Sequence, residues 1–256
     1  MSYVDLRNAL VDWPYDPEQI SVRKIIGMDG AEKIQMRVEL GLLQMEAVGR
    51  PDGTTPFQAP SLLDHHLARL AKYRQRNGTE MGFALSPQQC EELRNEASIY
   101  YRRFVSYFVL EEYGKVSEDT AHNLALFDLC RDYALEREDR VALEAYRPYL
   151  VMMDARACAH HALRDNEPAS ALAHVNRGIT HLRSFFEEYV EGDPMEIETQ
   201  SSEMRVLKDL AKDILRQIPE DSLVITRKAL RAAIEEERFE EAAKLRDALK
   251  SMGISE

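Results

Sequence analysis

Few side chains in this sequence could do chemistry, and their spacing limits what that chemistry can be. Two histidine pairs come first: His65-His66, which follows Asp64, and His160-His161, in an alanine-rich stretch. Neighbouring positions on a helix point about 100° apart, so neither pair can chelate a metal as an i, i+4 pair can. Two pairs converging from different helices would suit a metal-dependent hydrolase, and structural histidines are the competing reading. Cys90, Cys130 and Cys158 show no CxxC spacing and have no base nearby in the sequence to activate a thiolate. They read as reduced, buried thiols of a cytoplasmic protein. Gly49 through Thr55 lacks the lysine and the spacing of a phosphate-binding loop and reads as a turn. Glu235-Glu236-Glu237 reads as a solvated helix face, and Tyr100, Tyr101, Tyr107 and Tyr113 as core rather than a base-stacking platform. No catalytic, cofactor-binding or metal-ligating residue is assigned on this basis, and no cofactor is expected.

Composition narrows the partners. The 256 residues hold 33 Lys plus Arg against 45 Asp plus Glu, a net charge of −12. That balance argues against direct nucleic-acid binding over a broad face and leaves room only for a local basic patch. The longest apolar runs, Tyr107–Leu110 and Tyr149–Met153, fall far short of the ~20 residues of a membrane span, so no membrane partner is expected. Met1-Ser2-Tyr3-Val4-Asp5 carries polar and acidic residues, which is not a signal-peptide pattern.

The elements that must position these residues change character along the chain. After an irregular start with Pro14 and Pro17, Val22-Arg23-Lys24-Ile25-Ile26 and Ile34-Gln35-Met36-Arg37-Val38 read with period two, the pattern of strands with one buried face. Asp29-Gly30 is a tight-turn signal between them. The run from Leu42 to Val48 continues the second strand or begins a third, giving a β-hairpin or meander over 20–48 that must pack on something to be stable. From Ser61 the period becomes 3.6. Leu62, Leu63, His66, Leu67, Leu70 and Tyr73 predict a helix ending near Asn77-Gly78, and Ser86-Pro87 opens another through Phe108. Further helices are predicted over 118–134, 141–163, 168–190 and 203–217. Ala155, Cys158, Ala159, Ala162, Ala171, Val175, Gly178 and Ile179 fall where a tetratricopeptide helix pair keeps small and apolar residues, although a generic bundle gives the same spacing.

The most specific signal is C-terminal. Leu230, Ala233 and Ile234 share one face of a first short helix, and Ala242, Leu245, Leu249 and Met252 step along a second like a coiled-coil seam. Phe239 sits at the joint, where its ring can cover the open end, and Ala242-Ala243 permits close approach. This stretch resembles the UVR motif, the helical hairpin shared by the excision-repair proteins UvrB and UvrC and found also in an activator of bacterial protein arginine kinase and in some Clp-type ATPases. The residues that carry the likeness are Leu230, Ile234, Phe239-Glu240, Ala242-Ala243 and Leu245-Arg246-Asp247. The resemblance implies a protein-docking element, with Leu230, Ile234, Phe239, Ala242, Ala243, Leu245, Arg246, Asp247 and Leu249 as its partner-binding residues. The order of parts, from Lys33–Glu46 through Gly49-Arg50-Pro51-Asp52-Gly53 to the hairpin, is similar to that of a bacterial family carrying this motif, a likeness that implies no activity.

The fold expected is mainly α. An irregular tetratricopeptide-like array over 57–218 follows a small β-hairpin or meander within 1–56, and an antiparallel helical hairpin closes the chain over 219–256. The function expected is that of a non-catalytic cytoplasmic adaptor that binds protein partners, a second copy among them, through a helical groove and the hairpin. The alternatives are an accessory factor in nucleotide excision repair and the histidine-based hydrolase.

Overall fold

The computed structural model describes residues 5–189, 192–218, 220–236 and 238–251, and opens with a short helix, α1 (Arg7–Leu10). Three strands follow: β1 (Val22–Ile26), β2 (Glu32–Val38) and β3 (Gly41–Glu46), an antiparallel meander in that order. The run from Leu42 is therefore a third strand. Gly30, at φ +77°, makes the β1–β2 turn, a backbone state that side chains disfavour. Register places Lys24, Ile34 and Met45 side by side, and Ile34 and Met45 are buried.

The other sheet face corrects the expectation of a single buried face, since Lys33 and Gln35 are each only 6% exposed. Lys33 Nζ donates to Asp29 (2.6 Å) and Glu46 (2.5 Å). Gln35 accepts from Arg23 (2.8 Å) and donates to Gln44 (2.9 Å), and the Arg23 guanidinium lies 4.1 Å from the Trp13 ring centre. Arg23 and Arg37 also donate to the carbonyls of Ala9 and Trp13, so residues 9–13 are tied across this face. Buried polar groups satisfied in this way keep an alternating strand stable with both sides covered.

Helices then take over. α2 (Leu62–Asn77) starts at Ser61, whose Oγ accepts the Asp64 N–H at 3.0 Å. α3 (Pro87–Val109) starts with a capping box between Ser86 and Gln89. α4 (Tyr113–Tyr133) begins earlier than the predicted residue 118, directly after a tight turn in which Glu111 has φ +59° and the Glu112 N–H bonds back to the Tyr107 carbonyl at 2.9 Å. The predicted helix over 141–163 starts later, as α6 (Arg147–Arg164), and Val141 instead ends a short preceding helix, α5 (Arg137–Val141). Pro148 explains the break, because proline is tolerated in a first turn and not in a helix interior. α7 (Pro168–Tyr189) follows a turn of the same build, with Asn166 at φ +60° and the Glu167 N–H on the Ala162 carbonyl at 2.9 Å. α8 (Pro194–Gln200), α9 (Ser202–Gln217), α10 (Glu220–Glu235) and α11 (Phe239–Ser251) complete the chain.

The chain divides between Ala145 and Tyr146 into two compact units. The division falls inside the stretch 57–218 that the sequence reads as one helical domain. In the first unit, β2 packs on α3 and α3 pairs with α4; in the second, α6, α7 and α9 pack on one another. The small residues predicted at paired helices do lie there: Ala155, Ala159, Ala162, Ala171, Val175 and Ile179 are buried, and Cys158 is half-buried. Glu198 on α8 joins Arg183 (2.9 Å) and Lys208 (2.5 Å), whose hydrogen bonds pull its carboxyl down to about 2.

A Cβ built on Gly178 would stand 2.6 Å from the Ala155 Cβ and 3.1 Å from Leu207 Cδ1, so the α6–α7–α9 contact is tight because this position has no side chain. Gly→Ala inside a helix ordinarily stabilises by about 1 kcal/mol. Here overpacking reverses the sign, and Gly178→Ala is expected to lower stability by about 1–3 kcal/mol in urea titrations; a more stable variant would contradict the close approach. In the first unit, Ile34→Asp should lose several times as much stability as Val38→Asp, since Ile34 is fully buried and Val38 half-buried. Equal losses would refute the sheet register.

Candidate functional site

The C-terminal hairpin forms as the sequence predicts, with a seam narrower than expected. Leu230, Ala233, Ala242 and Leu249 form one buried cluster, with Leu245 packed against it. Ala243 is half-buried, and Arg246 and Asp247 are exposed, 3.8 Å apart. Two expectations are corrected. Ile234 is not buried in the seam: it lies at the edge of that face, about 40° of helix from Leu230 and 100° from Ala233, and is 51% exposed. Phe239 does not close the open end of the hairpin, and its ring is 69% exposed. Met252 and Pro219 lie outside the described residues.

The turn between α10 and α11 is held by its backbone. The Arg238 N–H donates to the Ala233 carbonyl at 2.8 Å, and the Ala242 N–H to the Arg238 carbonyl at 2.9 Å. The Arg238 guanidinium lies between Glu236 (2.9 Å) and Glu241 in two solvent-exposed ion pairs beside Phe239. A shallow hollow of about 490 Å3 is lined by Arg238, Phe239, Glu240, Glu241 and Lys244. Toward its other end, α11 approaches α7, where Asp247 and Lys250 border a cleft with Ala173, Asn176, Arg177 and Thr180. The hairpin thus touches its own unit at one end and presents Ile234 and Phe239 to solvent at the other.

The histidines and cysteines separate into different environments. His66 is buried: its Nδ1 accepts from Arg69 (2.8 Å), and burial together with the Arg69 charge pushes its pKa down to about 4. His65 is half-buried and stacked on Phe57. His161 is exposed, 4.0 Å from Asp165. Among the described residues no group of three or more His, Cys, Asp or Glu could hold a metal ion, so the convergence that the hydrolase reading needs is not found there. Cys90 and Cys130 are buried, and burial raises both thiols, Cys130 to about 12, which removes thiolate at neutral pH.

The sequence reading missed a buried charge node on α3 and α4. Glu96, with no exposed surface, accepts the N–H groups of Leu62 (2.7 Å) and Leu63 (3.0 Å), and is met by His122 Nε2 (3.2 Å) and Arg50 Nε (3.1 Å). Desolvation pushes the Glu96 carboxyl up, but the bonds from His122, Leu62 and Leu63 outweigh it and hold the group below its ordinary value. Seven residues on, Arg103 makes a two-pronged pair with Asp119 (2.8 and 2.7 Å) and donates to the carbonyls of Glu46 (3.0 Å) and Gly49 (2.6 Å). Tyr107 donates to the Ala47 carbonyl at 2.5 Å, and Tyr100 stacks on His122 at 3.7 Å. Of the four tyrosines read as core, Tyr100 and Tyr107 are buried, Tyr113 is half-buried and Tyr101 is 45% exposed. The signal for the node was available: Glu96 and Arg103 interrupt the apolar stripe Leu93, Ala97, Tyr100, Phe104, Tyr107, and a charge inside such a stripe needs a buried partner. The geometry reads as architecture, because main-chain groups take up most of its hydrogen bonds.

Acid should therefore dissolve the first unit in two stages. His66 has a folded pKa below its ordinary 6.5, so the unfolded chain binds the proton first and stability falls as pH drops from 6.5 toward 4, by about 3 kcal/mol at the lower end. Glu96 has a depressed folded pKa, so its contribution is present above 4.5 and fades below it. In urea titrations at a series of pH values, His66→Gln should flatten the first decline. Glu96→Gln should cost about 3 kcal/mol at pH 7 and flatten the second. A wild-type stability that is level between pH 6.5 and 5 would refute the assignment to His66.

Against known proteins, neither the curated proteins nor the solved structures give a match to this chain. One family model does match: that of the UvrB/uvrC motif, over residues 226–253. The matched span contains the seam Leu230, Ala233, Ala242, Leu249 and, among the described residues, the exposed apolar side chains Ile234 and Phe239. The hairpin at the end of this chain is a UvrB/uvrC motif.

Proposed function

We propose that the protein is a non-catalytic adaptor that docks a protein partner through the tip of its C-terminal hairpin. The observation that carries this is the division of labour within the motif. Its small and leucine residues close the seam, while, among the described residues, the large apolar side chains of Ile234 and Phe239 are exposed beside Arg238. Exposed aromatic and aliphatic anchors next to an arginine are the composition of interface hot spots. The match to the UvrB/uvrC motif supports the same reading, since the hairpin to which this stretch is similar serves protein contact. The helical pair α6–α7, with Ala155 and Gly178 at its closest approach, is consistent with a tetratricopeptide-like body that supports the hairpin. Reduced buried thiols suit a cytoplasmic setting. Leu245, Arg246 and Asp247 belong to the docking element as support for α11.

The match to a motif of UvrB and UvrC also favours a second reading, an accessory factor in DNA damage response. Gel shifts on damaged and undamaged DNA, with and without excision proteins, separate the two: a supershift that needs those proteins supports the repair setting.

The adaptor reading is tested with the full-length chain. Ile234→Asp and Phe239→Ala change exposed positions, so each should melt within about 2 °C of wild type, as surface changes do, and lose partner recovery in affinity purification by about tenfold or more. Leu249→Asp breaks the seam and should lose both recovery and helicity. A Phe239→Ala, Ile234→Asp double variant that still recovers every wild-type partner would end the docking proposal, and a second copy as partner would show as a concentration-dependent mass in light scattering.

A further inference from the structure

The chain is acidic overall, yet one face of α2 is not. His65, Arg69, Lys72 and Arg76 fall at i, i+4, i+7 and i+11, a single stripe on the helix about 16 Å long. Among the described residues Arg69, Lys72 and Arg76 pair with no carboxylate, and Arg69 donates one hydrogen bond to His66 Nδ1 at 2.8 Å. The acids nearest in sequence are engaged elsewhere: Asp64 accepts from Ser61 Oγ at 2.6 Å, and Glu80 pairs with Arg74. The cations are close enough to act on His65, whose pKa is lowered by burial and then by the charges of Arg69 and Lys72. Like charges gathered without counter-ions destabilise the folded chain, so their placement calls for a compensating role.

Two aromatic rings lie beside the first half of this stripe. Phe57 stacks on His65 at 4.2 Å with a 22° interplanar angle, while most of its ring surface stays open. It is presented by a strained backbone, with Phe57 at φ +53° and Gln58 at φ +61°, and such strain persists where surrounding structure imposes it and clusters at binding sites. Further along, the Arg69 guanidinium lies 5.6 Å from the half-buried Phe83 ring, which meets Tyr73 and Tyr133 edge-on at 5.8 and 5.4 Å. An acidic polypeptide would need the cations alone. A stacking ring set beside cations that carry no carboxylate partner is the combination that single-stranded nucleic acid uses, with the backbone tracking the charges and the bases lying on the rings.

We propose that the face of α2 formed by His65, Arg69, Lys72 and Arg76, together with Phe57, is a binding surface for single-stranded nucleic acid, with little sequence preference. The net charge of −12 bears on long-range steering and not on this stripe, whose local charge is positive.

The test is fluorescence anisotropy of the full-length protein with a labelled oligothymidylate of about 16 nucleotides, the upper site size of a small binding fold. A duplex of the same length and a labelled polyglutamate serve as competing probes. Three cations on a single strand should give a slope of log affinity against log salt of about −2. Lys72→Glu with Arg76→Glu should lose affinity at least about tenfold, and Phe57→Ala about 5- to 100-fold. Lys212→Glu with Arg216→Glu on α9 makes the same change in net charge at exposed positions and should bind as wild type. Thermal melts check that all variants stay folded. No binding in low salt, or equal loss in the α9 variant, overturns the proposal. So does equal affinity for duplex or an unaffected Phe57→Ala. Polyglutamate binding that the α2 variants abolish, in the absence of oligothymidylate binding, would assign the stripe to an acidic polypeptide instead.

Discussion

A carboxylate removed from water has to be answered by donors, and in the first unit the answer to Glu96 organises everything around it. Its oxygens take the two free N–H groups at the start of α2, so the helix begins where that carboxylate lies. Arg50 approaches from the loop after β3 and His122 from α4, so one side chain on α3 fixes a helix start, a loop and a neighbouring helix. Arg103 does the same with a positive charge. Burial works against its ionisation, but Asp119 holds it charged, and its remaining donors reach the Glu46 and Gly49 carbonyls at the end of the meander. A three-stranded sheet with exposed edges is marginal by itself, and here it is fastened to helices by hydrogen bonds as well as by Ile34 and Met45.

The strands, the hairpin and most helix ends were legible in the sequence because each rests on local physics. Asp29-Gly30, Ser61, Ser86-Pro87 and the alternation around Ile34 state their structures within a few residues. Pro148 also stated its break, although the expected helix over 141–163 ran through it. The node was harder to see because Glu96 and Arg103 find partners 16 to 57 positions away, at Asp119, at Leu62 and at the Glu46 carbonyl, a pairing that no local period encodes. Lys33 and Gln35 were misplaced for a related reason. A polar residue on a strand reads as exposed until a second layer, here residues 9–13, supplies its partners.

The second unit is held by closeness rather than by charge. Gly178 against Ala155, with Leu207 beyond, brings three helices together at distances that leave no room for a methyl group. Contacts of this kind gain dispersion from many atoms at once and tolerate little change in volume, whereas the exposed cations Arg183 and Lys208 on the half-buried Glu198 are open to salt screening. The same economy of size runs through the hairpin seam, where Ala233 and Ala242 share the cluster with Leu230 and Leu249.

That economy has a consequence for the hairpin. Isolated helices of 13 to 16 residues are marginal in water, and a seam that is half alanine buries little apolar area to hold two of them together. If stability alone had shaped the motif, Ile234 and Phe239 would gain by turning inward, at about 1.5–3 kcal/mol for each large side chain buried. They stand outward instead, on a turn held by its own backbone bonds, with Arg238 between two exposed glutamates beside it. A pair of helices weakly closed on itself, anchored at one end by its approach to α7 and carrying its apolar bulk at the other, reaches its most stable state when something covers that end. The free energy missing from the seam is what a docked partner can supply, so partner capture and the ordering of α10–α11 are expected to be two faces of one equilibrium.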